Sequence, residues 1–422
     1  MITEMPSRRR RNGVPDIMRV TGIIAEYNPF HNGHAYHLRE ARRLTKAHYL
    51  LVVMGGNFMQ RGEPAIVDKF ARTEMALRGG ADLVAELPTP FATGSAEYFA
   101  EGAVELLDQS GVVDTLCFGS ESGDLGLVQR AAEVLIEEPE AYRAVLKAEL
   151  KAGNSFPTAR EHALASILAA EDLPEGFLSS PNNILAVEYV KALLKRGSRI
   201  KPCTVRRMGN YHGERLFPDG GFASASAIRR FLLEGAFREG SFKEENVPSQ
   251  EPFVSPLSSQ LPETSLRLLT DGRRLVSLED FSLPLHYRLL AASDPLEFTA
   301  FLDVSPDLSR RIFRLRHEFS GYEAFLDRLK TRQYTRTRIA RALLHILLGI
   351  RNTDIALPSQ FRILGFRREA APLLRRLKEE SRLPVVSRPS RGASSDQEAF
   401  FSSVYHLGEA YHEYREKLVI VP

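Results

Sequence analysis

The chain is poor in cysteine and holds no long apolar run, and each shortage removes a class of protein. Only two cysteines, Cys117 and Cys203, occur in 422 residues, far apart and each inside an apolar stretch. They offer no disulfide framework and no metal-ligand spacing, and read as buried thiols of a reducing cytoplasm. No stretch of about 18 apolar residues occurs, so no membrane-spanning helix is expected. The opening MITEMPSRRRRN is basic, but no apolar segment follows it, unlike a secretory signal. Residues 1–18 read as a disordered basic arm or a mis-called start. No internal repeat is present.

What remains is the composition of a globular protein, 43% hydrophobic and 26% charged. Over 19–240, short apolar runs (20–26, 49–54, 82–87, 114–118 and 201–208) alternate with helical patterns (34–45, 68–79, 95–110, 124–150, 157–170 and 181–196). That alternation predicts an α/β fold with a Rossmann-like parallel sheet. Ligands are then expected beyond the carboxyl ends of strands one, two and four. Residues 241–268, rich in Pro and Ser, read as a linker or long loop. Residues 269–422 read as a mainly α-helical basic domain, with a loop at 384–396. The net charge of +3 hides an asymmetry: 301–390 hold 19 Lys and Arg against 9 Asp and Glu, leaving −7 elsewhere. Such a region suits a polyanionic partner or a solvated helical surface.

The most specific segment runs Ile24-Ala25-Glu26-Tyr27-Asn28-Pro29-Phe30-His31-Asn32-Gly33-His34-Ala35-Tyr36-His37. A strand ends at Glu26, Asn28-Pro29 turns the chain, and His-x-Gly-His opens a helix. Helix N-terminal amides attract anions, and Gly33 permits close approach. His31 and His34 can donate to phosphate oxygens as charge builds on phosphorus. Nucleotidyl transfer needs positioned donors more than covalent help, so the segment predicts ATP use with both histidines catalytic. A lone histidine here would read as structural or as a metal ligand. Ser224-Ala225-Ser226-Ala227-Ile228-Arg229 is, by itself, a helix cap at Ser226. Beside the first motif, Ser224, Ser226 and catalytic Arg229 face a β,γ-phosphate. Gln60 and Arg61 after strand two, and Lys69 on the next helix, are further phosphate or substrate candidates. Ile339, Leu343, Ile346, Leu347 and Ile350 form a core stripe. Tyr334, Arg338, Arg341 and His345 line a neighbouring one. With Lys330, Arg332 and Arg336, these suit RNA phosphates and exposed bases, although a solvated face is the plain alternative.

These segments, with 55–65, 118–121, 180–185, 206–212 and 362–366, resemble the bacterial tRNA(Met) cytidine acetate ligase family from about residue 19 onward. That family sits within the His-x-Gly-His (HIGH) nucleotidyltransferase superfamily. The resemblance implies a cytoplasmic ligase that activates acetate with ATP as acetyl-adenylate. It then forms N4-acetylcytidine at the wobble position of elongator tRNA(Met). It also implies ATP contacts from 24–37, Gly119, Asn182 and Arg207, with Mg²⁺ carried by the phosphates and no metal ligands from the protein. Gly55 departs from the family's Ser. A small-molecule adenylyltransferase or acyl-adenylate-forming amide synthase remains open, as does a non-catalytic tRNA-binding protein. No residue presents itself as general base for the acyl transfer, and oligomeric state is not legible.

Overall fold

Three apolar runs, Val20–Ala25 (β1), Tyr49–Gly55 (β2) and Leu83–Leu87 (β3), lie side by side as parallel strands in the computed structural model. The structure describes residues 18–168, 173–207, 222–238, 257–331, 333–388 and 392–422. Near-continuous apolar strands are what a parallel sheet covered on both faces requires. The crossovers are α1 (Asn32–Thr45) and α2 (Lys69–Arg78). Two further helices, α3 (Thr89–Ala92) and α4 (Ala96–Gln109), return the chain to the far side of β1. There β4 (Thr115–Ser120) pairs with β1 and β5 (Lys201–Arg206) pairs with β4, both parallel. Between them run α5 (Leu125–Glu137), α6 (Glu140–Lys151), α7 (Phe156–Ala165) and α8 (Pro181–Arg196). The single helix expected over 124–150 is thus two. Glu138 turns left-handed (φ 42°) and Pro139 starts the second.

The strand order β5-β4-β1-β2-β3 reverses between β1 and β4. That is the switch point where such sheets bind ligands.

Beyond α9 (Ala225–Arg238) the linker expectation meets a difference. Residues 239–256 fall outside the described residues, but 257–268 are not a loop. They lead into α10 (Glu263–Thr270), and Leu257, Leu261, Leu268 and Leu269 bury against Ile228 and Leu232. Apolar spacing outweighs Pro and Ser content there.

The C-terminal part is mostly helical, through α11 (Ser282–Leu290), α12 (Pro306–Leu315), α13 (Tyr322–Leu329), α14 (Arg336–Leu348), α15 (Ala371–Glu380) and α16 (Ala393–Tyr405). It also returns three strands to the sheet. β6 (Phe361–Arg367) pairs antiparallel with β3, while β7 (Val385–Val386) and β8 (Val419–Val421) flank β6. Phe361 and Ile363 pack on one face and Leu364 on the other, which anchors this part to the sheet. A short apolar run shows no helix-or-strand signature of its own. No helix of the described residues is long and apolar enough to cross a membrane.

Candidate active site

Gly33 explains why the segment after β1 takes the form His-x-Gly-His. His31 caps α1, its Nδ1 accepting the Gly33 amide at 3.0 Å. A Cβ on Gly33 would lie 2.8 Å from His31 Cε1, closer than real contacts allow. His34 Nδ1 accepts the His31 amide at 3.3 Å, and the two imidazoles stack with centroids 3.8 Å apart. Because both Nδ1 atoms accept, the neutral tautomer carries its proton on Nε2, leaving a donor on each ring. Burial, and then the charge of Arg207, hold His31 down to about 3. His34 is lowered by burial, then by His31, Arg207 and His37, and His37 falls to about 4 for the same first reason. Both members of the motif are neutral near pH 7.

The first amides of α1 are not available to an anion, contrary to the expectation. Asn32 N donates to Gln260 O, Gly33 N to His31, and the amides of His34 and Ala35 to His31 O. The situation at α9 is the reverse. Ser224, not Ser226, is its cap, with Oγ accepting from Ala227 N at 3.1 Å and its carbonyl accepting from Ile228 N. Ser226 is exposed in the first turn, both Ala225 and Ser226 line the open site, and neither backbone amide has a partner among the described residues. Arg229 donates to Asn28 O at 2.9 Å and pairs with Glu63 at 2.7 Å, joining the two motifs.

Both motifs line one cleft of about 710 Å³ over the ends of β1, β4 and β5. That volume suits a nucleotide with a second reactant. Of the segment after β1, Ile24, Ala25, Glu26, Tyr27, Asn28, His31, Gly33, His34, Tyr36 and His37 reach it. Pro29, Phe30 and Ala35 are buried behind it, and Asn32 instead donates to Ser259 O at 2.9 Å. Phe30 fills the space that a Cβ on Gly79 would occupy. On the opposite wall Asn182 links two elements. Its Nδ2 donates to Glu121 at 2.6 Å, and its Oδ1 accepts from Arg207 at 2.9 Å. The Arg207 stem lies over Gly119, 3.2 Å from where a Cβ would sit. Gln60 and Arg61 border the cleft, and the Gln60 amide donates to Glu26 Oε1 at 2.6 Å. Glu63 and Thr337 also line it and escaped the sequence reading. Glu63 lay within the motif after β2, whereas Thr337 carried no signal.

Lys69 does not join them. It is fully buried, pairing with Glu86 at 2.7 Å and Glu413 at 2.6 Å and donating to Ser402. Its neighbour Arg72 is buried too, donating to the carbonyls of Glu26, Gly55 and Gly56 and tying the ends of β1 and β2 together. Among the RNA candidates, Arg341 is 9% exposed and pairs with Asp303 at 2.7 Å. Tyr334 is buried with its hydroxyl on Ser305, and His345 is sealed between Leu302 and Thr93. Arg336 pairs with Glu323 and Asp327, and Arg338 lies over the Tyr334 ring. Lys330 is exposed, and Arg332 lies outside the described residues. The stripe is therefore largely internal: the core beneath it extends under Tyr334, Arg341 and His345. No group of three or more His, Cys, Asp or Glu side chains among the described residues converges to hold a metal ion.

Comparison with known proteins agrees with this geometry. The HIGH Nucleotidyl Transferase family model matches residues 18–418. A tRNA(Met) cytidine acetate ligase of Acetivibrio thermocellus is 42% identical over 381 residues, 87% of this chain and 88% of that one. One of Caldanaerobacter subterraneus subsp. tengcongensis is 38% identical over 404 residues, 92% and 95% of the two chains. A crystal structure of Thermotoga maritima TmcAL bound with alpha-thio ATP superposes with a TM-score of 0.81 at 33% identity, covering 96% of this chain and 100% of that one.

Proposed function

Because the chain belongs to the tRNA(Met) cytidine acetate ligases and to the HIGH nucleotidyl transferase family, we propose that it uses ATP to acetylate N4 of the wobble cytidine in elongator tRNA(Met). The observation that carries this reading is the meeting of the His31–His34 pair with Ser224–Arg229 in one cleft that also touches Thr337 of the basic C-terminal part.

An acetate oxygen attacks the α-phosphorus of ATP and pyrophosphate leaves. Nε2–H groups of His31 and His34 donate to the non-bridging oxygens as charge grows there. The Ala225 and Ser226 amides and Arg229 take the departing β,γ-phosphates. Mg²⁺ carried by the phosphates would supply neutralisation of their charge. Among the described residues Glu26 and Glu63 are the carboxylates of the cleft lining, too few for a dedicated metal cage. The cytidine amine then attacks the acyl carbon and AMP departs.

The test is isotope exchange between pyrophosphate and ATP. Acetate-dependent exchange is expected, together with N4-acetylcytidine by nucleoside mass analysis when tRNA and labelled acetate are supplied. Exchange that proceeds equally without acetate would overturn the first step.

A further inference from the structure

Glu26 is a carboxylate of the cleft that the adenylation step does not use. It follows β1 directly, on the same floor as His31 and His34. Two contacts fix it: Oε1 accepts the Gln60 amide at 2.6 Å, and its carbonyl accepts from Arg72 at 2.6 Å. Its Oε2 takes no hydrogen bond among the described residues, and Glu26 belongs to the cleft lining. Four neighbouring titratable groups are committed, while His37, the remaining histidine of the lining, is held down to about 4 by burial and so is a weaker proton acceptor near pH 7. His31 and His34 use Nδ1 on backbone amides and present only donors. Glu63 pairs with Arg229, and Glu121 accepts from Asn182 and Asn183.

We propose that Glu26 is the general base of acyl transfer, its Oε2 taking the proton of the attacking cytidine amine. This rests on the functional reading above. As N4 bonds to the acyl carbon, the acyl–oxygen bond to AMP breaks and its electron pair leaves on the AMP phosphate. The N4 proton passes to Glu26, which later returns it to solvent. Burial pushes the Glu26 carboxyl above the usual carboxylate range, against the Gln60 amide, Arg61 and Arg229, while Glu63 adds to the rise. Tyr189 and Arg72 also face it from α8 and α2. A carboxylate raised in this way is a better proton acceptor while it stays ionised.

The test compares two half-reactions of the full-length Glu26→Gln protein, whose amide oxygen can still accept from Gln60. One is acetate-dependent pyrophosphate exchange. The other is single-turnover transfer from added acetyl-adenylate to tRNA. Transfer is expected to fall about 100-fold more than exchange, in the range a general base supplies. Glu26→Asp should recover part of it. Transfer by the unsubstituted protein should lose rate with acid at a pH above the ordinary carboxylate range, and the Gln variant should lose that limb. Equal losses in both half-reactions, or transfer no slower than exchange, would overturn the assignment. If the unsubstituted protein shows no acetate-dependent exchange, the functional reading falls and Glu26 with it.

Discussion

Two helices point their N-termini at the cleft and equip them in opposite ways. At α1 a histidine caps the helix, and the backbone amides are all bound within the protein. At α9 a serine caps the helix, and two first-turn amides have no partner among the described residues. The difference fits the part each helix start plays in the proposed reaction. A buried neutral imidazole directs one donor at one atom, which suits the α-phosphorus, where charge changes most. An open helix start offers several diffuse donors and a partial positive charge, which suits the polyphosphate that leaves.

Four changes probe that contrast. The largest effect is expected at His34→Ala, which removes a directed donor; exchange should slow by about 10²- to 10³-fold. An exchange rate unchanged in that variant would remove the His31–His34 pair from the proposed mechanism. Gly33→Ala should follow, since the added methyl collides with the His31 ring. A displaced imidazole costs on the order of 10²-fold in rate while ATP binding, read by calorimetry, changes far less.

The third probe is acid. An unfolded histidine takes up its proton near 6.5, whereas folded His31 does so only near 3 and His37 near 4. Between those values the unfolded chain binds more protons, so stability is full above about 6.5 and is lost as pH falls through this window. Urea denaturation at pH 7 and pH 5 should show the drop, and a His31→Asn, His37→Asn double variant should show a shallower one. The smallest effect is expected at Ser224→Ala, a cap loss of about 1 kcal/mol. Its exchange KM for ATP should rise modestly with kcat little altered, because the proposed phosphate contacts are the first-turn amides rather than the cap itself. A kcat loss as deep as that of His34→Ala would erase the distinction between the two helix starts.

The same contrast separates what could be read early from what could not. Strand, turn and His-x-Gly-His are contiguous, so local rules reach them: an apolar run, a turn, a cap and a glycine under an imidazole. Ser224–Arg229 needed the first motif beside it to mean more than a cap. Lys69 and Arg72 show the limit. Both are basic residues of α2, three positions apart, and nothing local separates them from phosphate ligands. Lys69 turns to Glu413, more than three hundred residues onward, and Arg72 to the carbonyls that end β1 and β2. Arg341 similarly met Asp303 rather than solvent.

By itself, then, the sequence determined the parallel α/β sheet, the cleft at its switch point and the histidine pair that lines it. These rest on periodicity and on contacts within a few residues, where chain connectivity holds the partners together. The tertiary structure alone decided that β6 closes the sheet, that α1's amides are already bound by Gln260 and the His31 cap, and which basic side chains are buried ion-pair partners. Those outcomes depend on which distant groups burial brings within about 3 Å, where desolvation and pairing set the balance.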